Sequence, residues 1–503
     1  MKYLLFIISI FSLNSIVAQE PIGIFKNRMD LSNTKKEGPF QYIKQSQLYK
    51  LKSADPNIEF NNSEYLFNEI TGNFILTANF KLINKELDPD IKVGWMIRNT
   101  DKENSEAISI SINGNGLICL ECGGFKDELN GNDKEPKLNT KKKYEILQLE
   151  RKGTALILRA ASFGEPLQLI GRQNIEDLPD VVLAGVYIVS ANSDPDLKAE
   201  IYNVRIDQPV SDDYNTDKEG YLGCRLEILD PFNGKRKVIY EKPDRFEAPN
   251  WMPDGKKLLF NMEGSLYKIP ITGGNLEKLN TGFADRNNND HGISFDGKTL
   301  AISHHREDLP GGGSTIYTLP LKGGVPKMVT SETPSYWHGW APNNKEVVYV
   351  AQRKEEKIYN IYKASIESGQ ETKLTHFTSG HIDGPEYSPD GKYIYYNSTE
   401  SGIMQLWRMS PEGSNREQLT FDEGNDWFPH ISPDGKWILY LSFPSDIPVN
   451  SHPSYKRVTL KMMPVGGGVS KVVAYLYGGQ GTINVPSWSP DSKYVAFVSN
   501  SGK

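Results

Sequence analysis

Cysteine is scarce. The chain has three in 503 residues, Cys119, Cys122 and Cys224, too few for a disulfide-stapled scaffold. The pair in "CLEC" fits either a local disulfide in an oxidising compartment or two thiols in a sheet. A metal site there would need two more ligands, and no histidine precedes residue 291. A basic excess is also missing: 57 Lys and Arg stand against 63 Asp and Glu, with both signs mixed along the chain. That leaves no electrostatic footprint for nucleic acid. Beyond the first eighteen residues nothing is apolar enough to span a bilayer, so membrane insertion is not expected. Neither a GxSxG elbow nor an HExxH helix occurs, and the glycine-rich "GGGS" at Gly311 and "GGQG" at Gly478 lack a following helical pattern. They read as turns, not phosphate cradles.

What is present begins with "MKYLLFIISIFSLNSIVA", a lysine, an apolar run and small residues ending at Ala18. It reads as a cleaved signal peptide, residues 1–18, and implies a periplasmic or secreted protein. The length exceeds one ordinary core, so two domains are expected. Tyr (25) and Phe (20) favour strands, while Gly (44) and Pro (30) supply turns between them. An all-β chain is the expectation.

A repeat organises the C-terminal half. "SPDGK" occurs at Ser388 and Ser432, with near copies in "PNWMPDGKKLLFNM", "HGISFDGKTLAISH", "HGWAPNNKEVVYVA" and "PSWSPDSKYVAFVS". Counted from Pro249, His291, His338, Pro385, Pro429 and Pro486, the steps are 42, 47, 47, 44 and 57 residues. Each copy is a short strand, a tight turn and an alternating strand, followed in most copies by two more. Four strands every forty-odd residues is the period of a β-propeller blade. The last copy stops two strands in, and the missing pair lies ahead of the first, in "CRLEILDPFNGKRKVIYE" from Cys224. A six-bladed propeller closed by N- and C-terminal half blades follows, over residues 221–503, since pairing the two ends removes exposed edges. Residues 209–220 read as a polar linker. Residues 19–208 carry strand patterns without a clear repeat, such as "FILTANFKLI" and "VVLAGVYIVS", and read as a jelly-roll β-sandwich.

Histidine is placed unevenly. All eight lie between His291 and His452. At the register position where four copies carry proline, two neighbouring copies carry His291 and His338. His304, His305 and Arg306 end the second strand of blade two and Arg353 that of blade three. His381 and Asp383 open blade four, and Asp426 and Trp427 open blade five. With Trp337, these residues are expected to line one mouth of the central channel. The bland alternative is polar loop residues satisfied by backbone. The functional alternative is a ligand site, in which guanidinium forks hold carboxylate, imidazoles exchange protons, and Tyr336, Trp337 and Trp427 offer stacking faces. A divalent metal on His291, His304 and His338 is one form of it. The insertion after the fifth copy, residues 442–468, could bring His452 or Tyr455 over a mouth, or be a plain surface loop.

"DGPEYSPDGKYIYYNS", "WFPHISPDGKWILYLSF" and "INVPSWSPDSKYVAFVS" resemble the TolB-type propellers, specifically exported bacterial proteins of biopolymer-transport or dipeptidyl-peptidase-propeller type, from Cys224 to the C-terminus. The resemblance implies the propeller fold. TolB itself carries a small α/β domain ahead of its propeller, whereas this chain reads as a sandwich there, similar to concanavalin-like and laminin-G-like modules. Many of those bind carbohydrate. In outline the histidine-rich mouth is also similar to that of oligogalacturonate lyases. Two functions follow: an exported binding or scaffold protein for glycan or an envelope protein partner, or a metal-assisted polysaccharide lyase or other glycan-processing enzyme.

Overall fold

The computed structural model describes residues 20–31, 40–51, 64–83, 90–102, 105–123, 142–189, 198–308 and 313–501. The expected signal peptide lies outside them, as does the side chain of Cys122. Cys119 is a free thiol. Strands account for nearly all the regular structure, and the one helix among the described residues is a single turn, Thr216–Glu219.

Ahead of that turn lie two sheets. One holds six strands in the order Asn27–Asp30, Glu64–Thr71, Val181–Val189, Lys92–Arg98, Ala107–Asn113, Ile118–Gly123. The other holds seven, in the order Gln168–Asn174, Ala155–Ala161, Ile146–Lys152, Phe74–Leu82, Ala199–Asp207, Leu48–Leu51, Phe40–Ile43. Alternation decides what is core: Val93, Trp95 and Ile97 are fully buried along one strand. Trp95 meets the edge of Phe80 at 5.9 Å and is a packing residue. By compactness the chain divides into two units. The first takes residues 1–72, 80–143 and 175–201, and the second takes 73–79, 144–174 and 202–503.

In the second unit five four-stranded sheets follow one another, with inner strands Phe246–Trp251, Asn287–Ile293, Ser335–Trp340, Ile382–Tyr387 and Asn425–Ile431. A further sheet joins the ends of this region. Cys224–Leu229 pairs antiparallel with Val495–Asn500, Cys224 opposite Asn500 and Leu229 opposite Val495, and Arg236–Lys242 completes it. Its inner edge is less regular than the repeat suggests: residues 483–488 form only a bridge, Trp488 to Val495. The segment is held by spaced bonds, from Ala496 N to Ser487 O at 2.9 Å and from Val498 N to Thr482 O at 3.1 Å. Inner strands of successive sheets touch in sequence, from Val495–Asn500 through the five.

The repeated phrase is turn chemistry. Ser432 Oγ donates to Asp434 Oδ1 at 2.6 Å, which accepts the Lys436 N–H at 3.2 Å, and Ser388–Asp390 and Ser489–Asp491 repeat the pattern at 2.7 Å. The next residue is left-handed, with φ 71° at Gly391 and 69° at Gly435. Where the copy reads "PNNK" or "PDSK", Asn344 and Ser492 take φ 57° and 60°.

Candidate functional site at the ends of the inner strands

All five inner strands lose register at the same place: between Glu247 and Asn250, Asn287 and His291, Trp337 and Gly339, Asp383 and Glu386, and Trp427 and His430. A bulge of this kind leaves residues unpaired and re-aims their side chains. In three strands it includes a left-handed residue, Ala248 (φ 57°), Gly384 (59°) and Phe428 (54°). The preceding sheet holds three of the bulges in place. Asn397 Oδ1 accepts the Phe428 N–H at 3.0 Å, Ser303 Oγ accepts the Trp337 N–H at 2.8 Å, and Asn261 Nδ2 donates to the carbonyls of Asn287 and Asn288 at 2.9 and 2.6 Å.

Asp383 is the centre of what the bulges expose. Its Oδ1 lies 3.0 Å from His338 Nε2 and accepts the Gly384 N–H at 2.8 Å. Its Oδ2 faces His381 Nε2 at 3.9 Å and His452 Nε2 at 3.8 Å. Aromatic rings support the imidazoles: Phe428 stacks on His338 at 6.4 Å, and Trp427 sits edge-on to His452 at 4.5 Å and to His381 at 5.3 Å. His452 comes from the insertion between the second and third strands of the fifth sheet. The "GGQG" turn seats that insertion. A Cβ on Gly479 would fall 1.9 Å from the Pro453 carbonyl oxygen, and one on Gly481 would fall 2.7 Å from Glu247 Cβ, so both positions need glycine's lack of side chain.

Burial alone would favour a neutral His338, but Asp383, with Asp290 and Glu386 behind it, outweighs burial and raises its pKa. Burial likewise opposes ionisation of Asp383, yet His338 and His381 hold it well below the usual carboxylate range. Each thus favours the charged form of the other. Burial pushes Asp290 up to about 7, against the pull of His338, and lowers His452 despite Asp383.

The residues singled out from the sequence divide between this cluster and other places. His338, His381 and Asp383 come together, with Trp427 packed fully buried beneath them. His291 is wholly buried, and burial pushes it down to about 4 against the opposing pull of the Asn289 and Leu259 backbone; its ring nitrogens reach no partner at hydrogen-bonding geometry. His304 Nδ1 accepts the Arg286 N–H at 3.3 Å, and its ring packs against Phe283 and Tyr317; His305 lies edge-on to Tyr336 at 6.4 Å. Arg306 is tied to Asp308. Arg353 is fixed by Glu371 (2.5 Å), Ser335 Oγ and the Pro334 carbonyl (both 3.0 Å) over the Tyr362 ring. Trp337 is fully buried among Ala301, Trp340 and Tyr349. Asp426 is buried 3.7 Å from Lys461 Nζ, and its burial raises it to about 7. His291, His304 and His338 are thus held by separate contacts, and among the described residues no three His, Cys, Asp or Glu side chains are grouped to hold a metal ion.

Sequence reasoning missed Asp290, Phe428 and the buried pair of His430 Nδ1 with Glu386 Oε2 at 2.6 Å. The available signal was the register: Asp290 precedes His291, and Glu386 and His430 each follow the aligned proline.

A family model described as TolB beta propeller domain matches residues 339–447. The uncharacterized protein Atu1656 of Agrobacterium fabrum is 45% identical over 285 residues, which is 56% of this chain and 94% of that protein. A solved structure of a protein assigned as TolB from Agrobacterium tumefaciens is similar at 45% identity, covering 55% of this chain and 98% of that one, with a TM-score of 0.52. TolB from Acinetobacter baumannii is similar at 15% identity over 66% of this chain and 79% of its own, with a TM-score of 0.40.

Proposed function

The chain belongs to the TolB-like β-propeller family, and from that premise we propose that it is an exported binding or scaffold protein for a glycan or an envelope protein. The proposed organisation is a signal peptide at 1–18, a concanavalin-like β-sandwich at 19–208, a linker at 209–220 and a six-bladed propeller at 221–503. The observation that carries the proposal is the closing of three imidazoles from two sheets and an insertion on Asp383, at the end of the inner strands where bulges turn side chains out of the ladder. A wall made only for packing would bury apolar side chains there. This one keeps a hydrogen-bonded His338–Asp383 pair and partly exposed imidazoles.

The test is a glycan-array screen together with co-purification from an envelope fraction, using the full chain, an Asp383→Ala variant and a Lys436→Ala control in a turn remote from the cluster. Binding of a defined glycan or a membrane-anchored protein that is lost in Asp383→Ala and kept in Lys436→Ala supports the reading. Binding that survives both substitutions overturns it. Release of unsaturated sugar, read by ultraviolet absorbance, replaces it with the lyase reading.

A further inference from the structure

The two oxygens of Asp383 meet different surroundings. Oδ1 is satisfied by His338 Nε2 at 3.0 Å and the Gly384 N–H at 2.8 Å. Oδ2 stands 3.9 and 3.8 Å from the Nε2 atoms of His381 and His452, beyond hydrogen-bond reach of either. Both imidazole side chains are about a quarter exposed, at 27% and 24%, and Asp383 keeps 14%. The three groups are nevertheless fixed: Thr399 Oγ1 accepts the His381 N–H at 2.8 Å, Trp427 braces both rings, and Phe428 braces His452 at 5.3 Å. The result is an acceptor oxygen flanked by two ring nitrogens, each separated from it by a gap that a small polar group can bridge.

The chemistry of that group follows from what surrounds it. A hydroxyl donates to the carboxylate oxygen and accepts from an imidazole N–H with its own lone pair. An ammonium can donate but has nothing with which to accept. A carboxylate would face the Asp383 carboxylate directly, while His338 is already committed to Asp383 Oδ1 at 3.0 Å. Two imidazole nitrogens at 3.9 and 3.8 Å from one oxygen also suit two neighbouring hydroxyls on one ring. We infer that Asp383 Oδ2, His381 and His452 form a subsite for the hydroxyls of a neutral sugar, and that the site rejects the corresponding uronic acid.

The inference rests on the binding-protein reading and narrows its ligand. Methyl α-D-galactopyranoside, methyl α-D-mannopyranoside and methyl α-D-galacturonate are titrated into the full chain by calorimetry, with histidine ring resonances followed by NMR. Galactoside and galacturonate share one skeleton and differ in the charged group. At least one neutral glycoside is expected to bind tenfold or more tightly than the galacturonate and to shift His381 and His452. Asp383→Ala also strips His338 of its partner, so His381→Ala and His452→Ala, which leave that pair intact, carry the test. Each should weaken binding by about tenfold, the worth of one hydrogen bond to a charged or polarised group. Equal or tighter binding of the galacturonate overturns the inference, as does neutral-sugar binding unmoved by both histidine variants. Absence of any glycoside binding also overturns it and leaves the envelope-protein arm of the wider reading standing.

Discussion

Two aspartates near the ends of the inner strands, Asp383 and Asp290, are driven in opposite directions by their neighbours. Asp383 gains more from His338 and His381 than burial costs it, whereas the Asp290 carboxylate accepts from Asn288 Nδ2 at 2.7 Å and feels Asp383 and Glu247 as like charges. The signs give different pH dependences. Asp383, lowered, stabilises the fold above an unfolded pKa of about 3.9 and loses that contribution as pH falls through its folded value. His338, raised, stabilises fully below about 6.5 and loses its contribution as pH rises through its folded value. Their pair is therefore strongest between roughly pH 4 and 6.5. Asp290 is raised to about 7, so its folded form holds a proton that the unfolded form has released, and stability falls between about pH 4 and 7. Asp290→Asn keeps an acceptor for Asn288 and removes that loss. Urea melts should show it more stable than the parent at pH 8 by on the order of 2–4 kcal/mol and nearly equal at pH 4. The same difference at both pH values would mean that the carboxyl is not held protonated. His338 was legible in the sequence as an odd residue at a proline position, and Asp383 as its neighbour in the aligned copies. Their pairing was not, because it depends on bulges whose reach across sheets no local pattern encodes.

The element most readable from sequence was the turn of the repeat, since its Ser, Asp and Gly each perform a local task that needs no tertiary partner. Gly435 illustrates this: φ is 69°, and a Cβ there would meet nothing within 4 Å. Gly435→Ala should then cost only the left-handed backbone penalty, about 1–2 kcal/mol, and Gly435→Asn less, as the residue at Asn344 implies. Denaturant unfolding of the two variants gives the ranking, and an alanine variant as stable as the parent would contradict it. The inner strands were also legible as strands, but their bulges were not, because Ala248 and Phe428 hold positive φ with side chains that do not announce it. The insertion was visible as extra length that could carry His452 or Tyr455 over a mouth or be a plain surface loop. That His452 turns inward follows from Gly479 and Gly481, which let the backbone of that turn approach Pro453 and Glu247.

At the scale of the molecule, the match of both ends of the repeat was the furthest-reaching inference from sequence, and Cys224–Leu229 does pair with Val495–Asn500. The charges that lock this sheet were not readable, because nothing in the local pattern says that Arg205, Glu227 and Arg236 are buried together. Glu227 is fully buried, bonded to Arg205, 3.7 Å from Arg236 Nε, and accepts Ser499 Oγ at 2.6 Å. Burial would raise its pKa, but the two arginines outweigh burial and bring it to about 2. Its contribution is therefore present above the unfolded value of about 4.3 and is lost as pH falls toward 2. Glu227→Ala leaves two guanidinium groups buried without their shared anion, a change of about 3–5 kcal/mol, and the variant should have lost its acid-sensitive transition below pH 4. Hydrogen exchange locates the effect. If Glu227 fastens the closing sheet, amides of 224–229 and 495–500 lose protection well before those of Ile394–Ser398 in the fourth sheet. A uniform loss across both would mean that the chain opens as a single cooperative body and that the join of its ends is no weaker than the sheets between them.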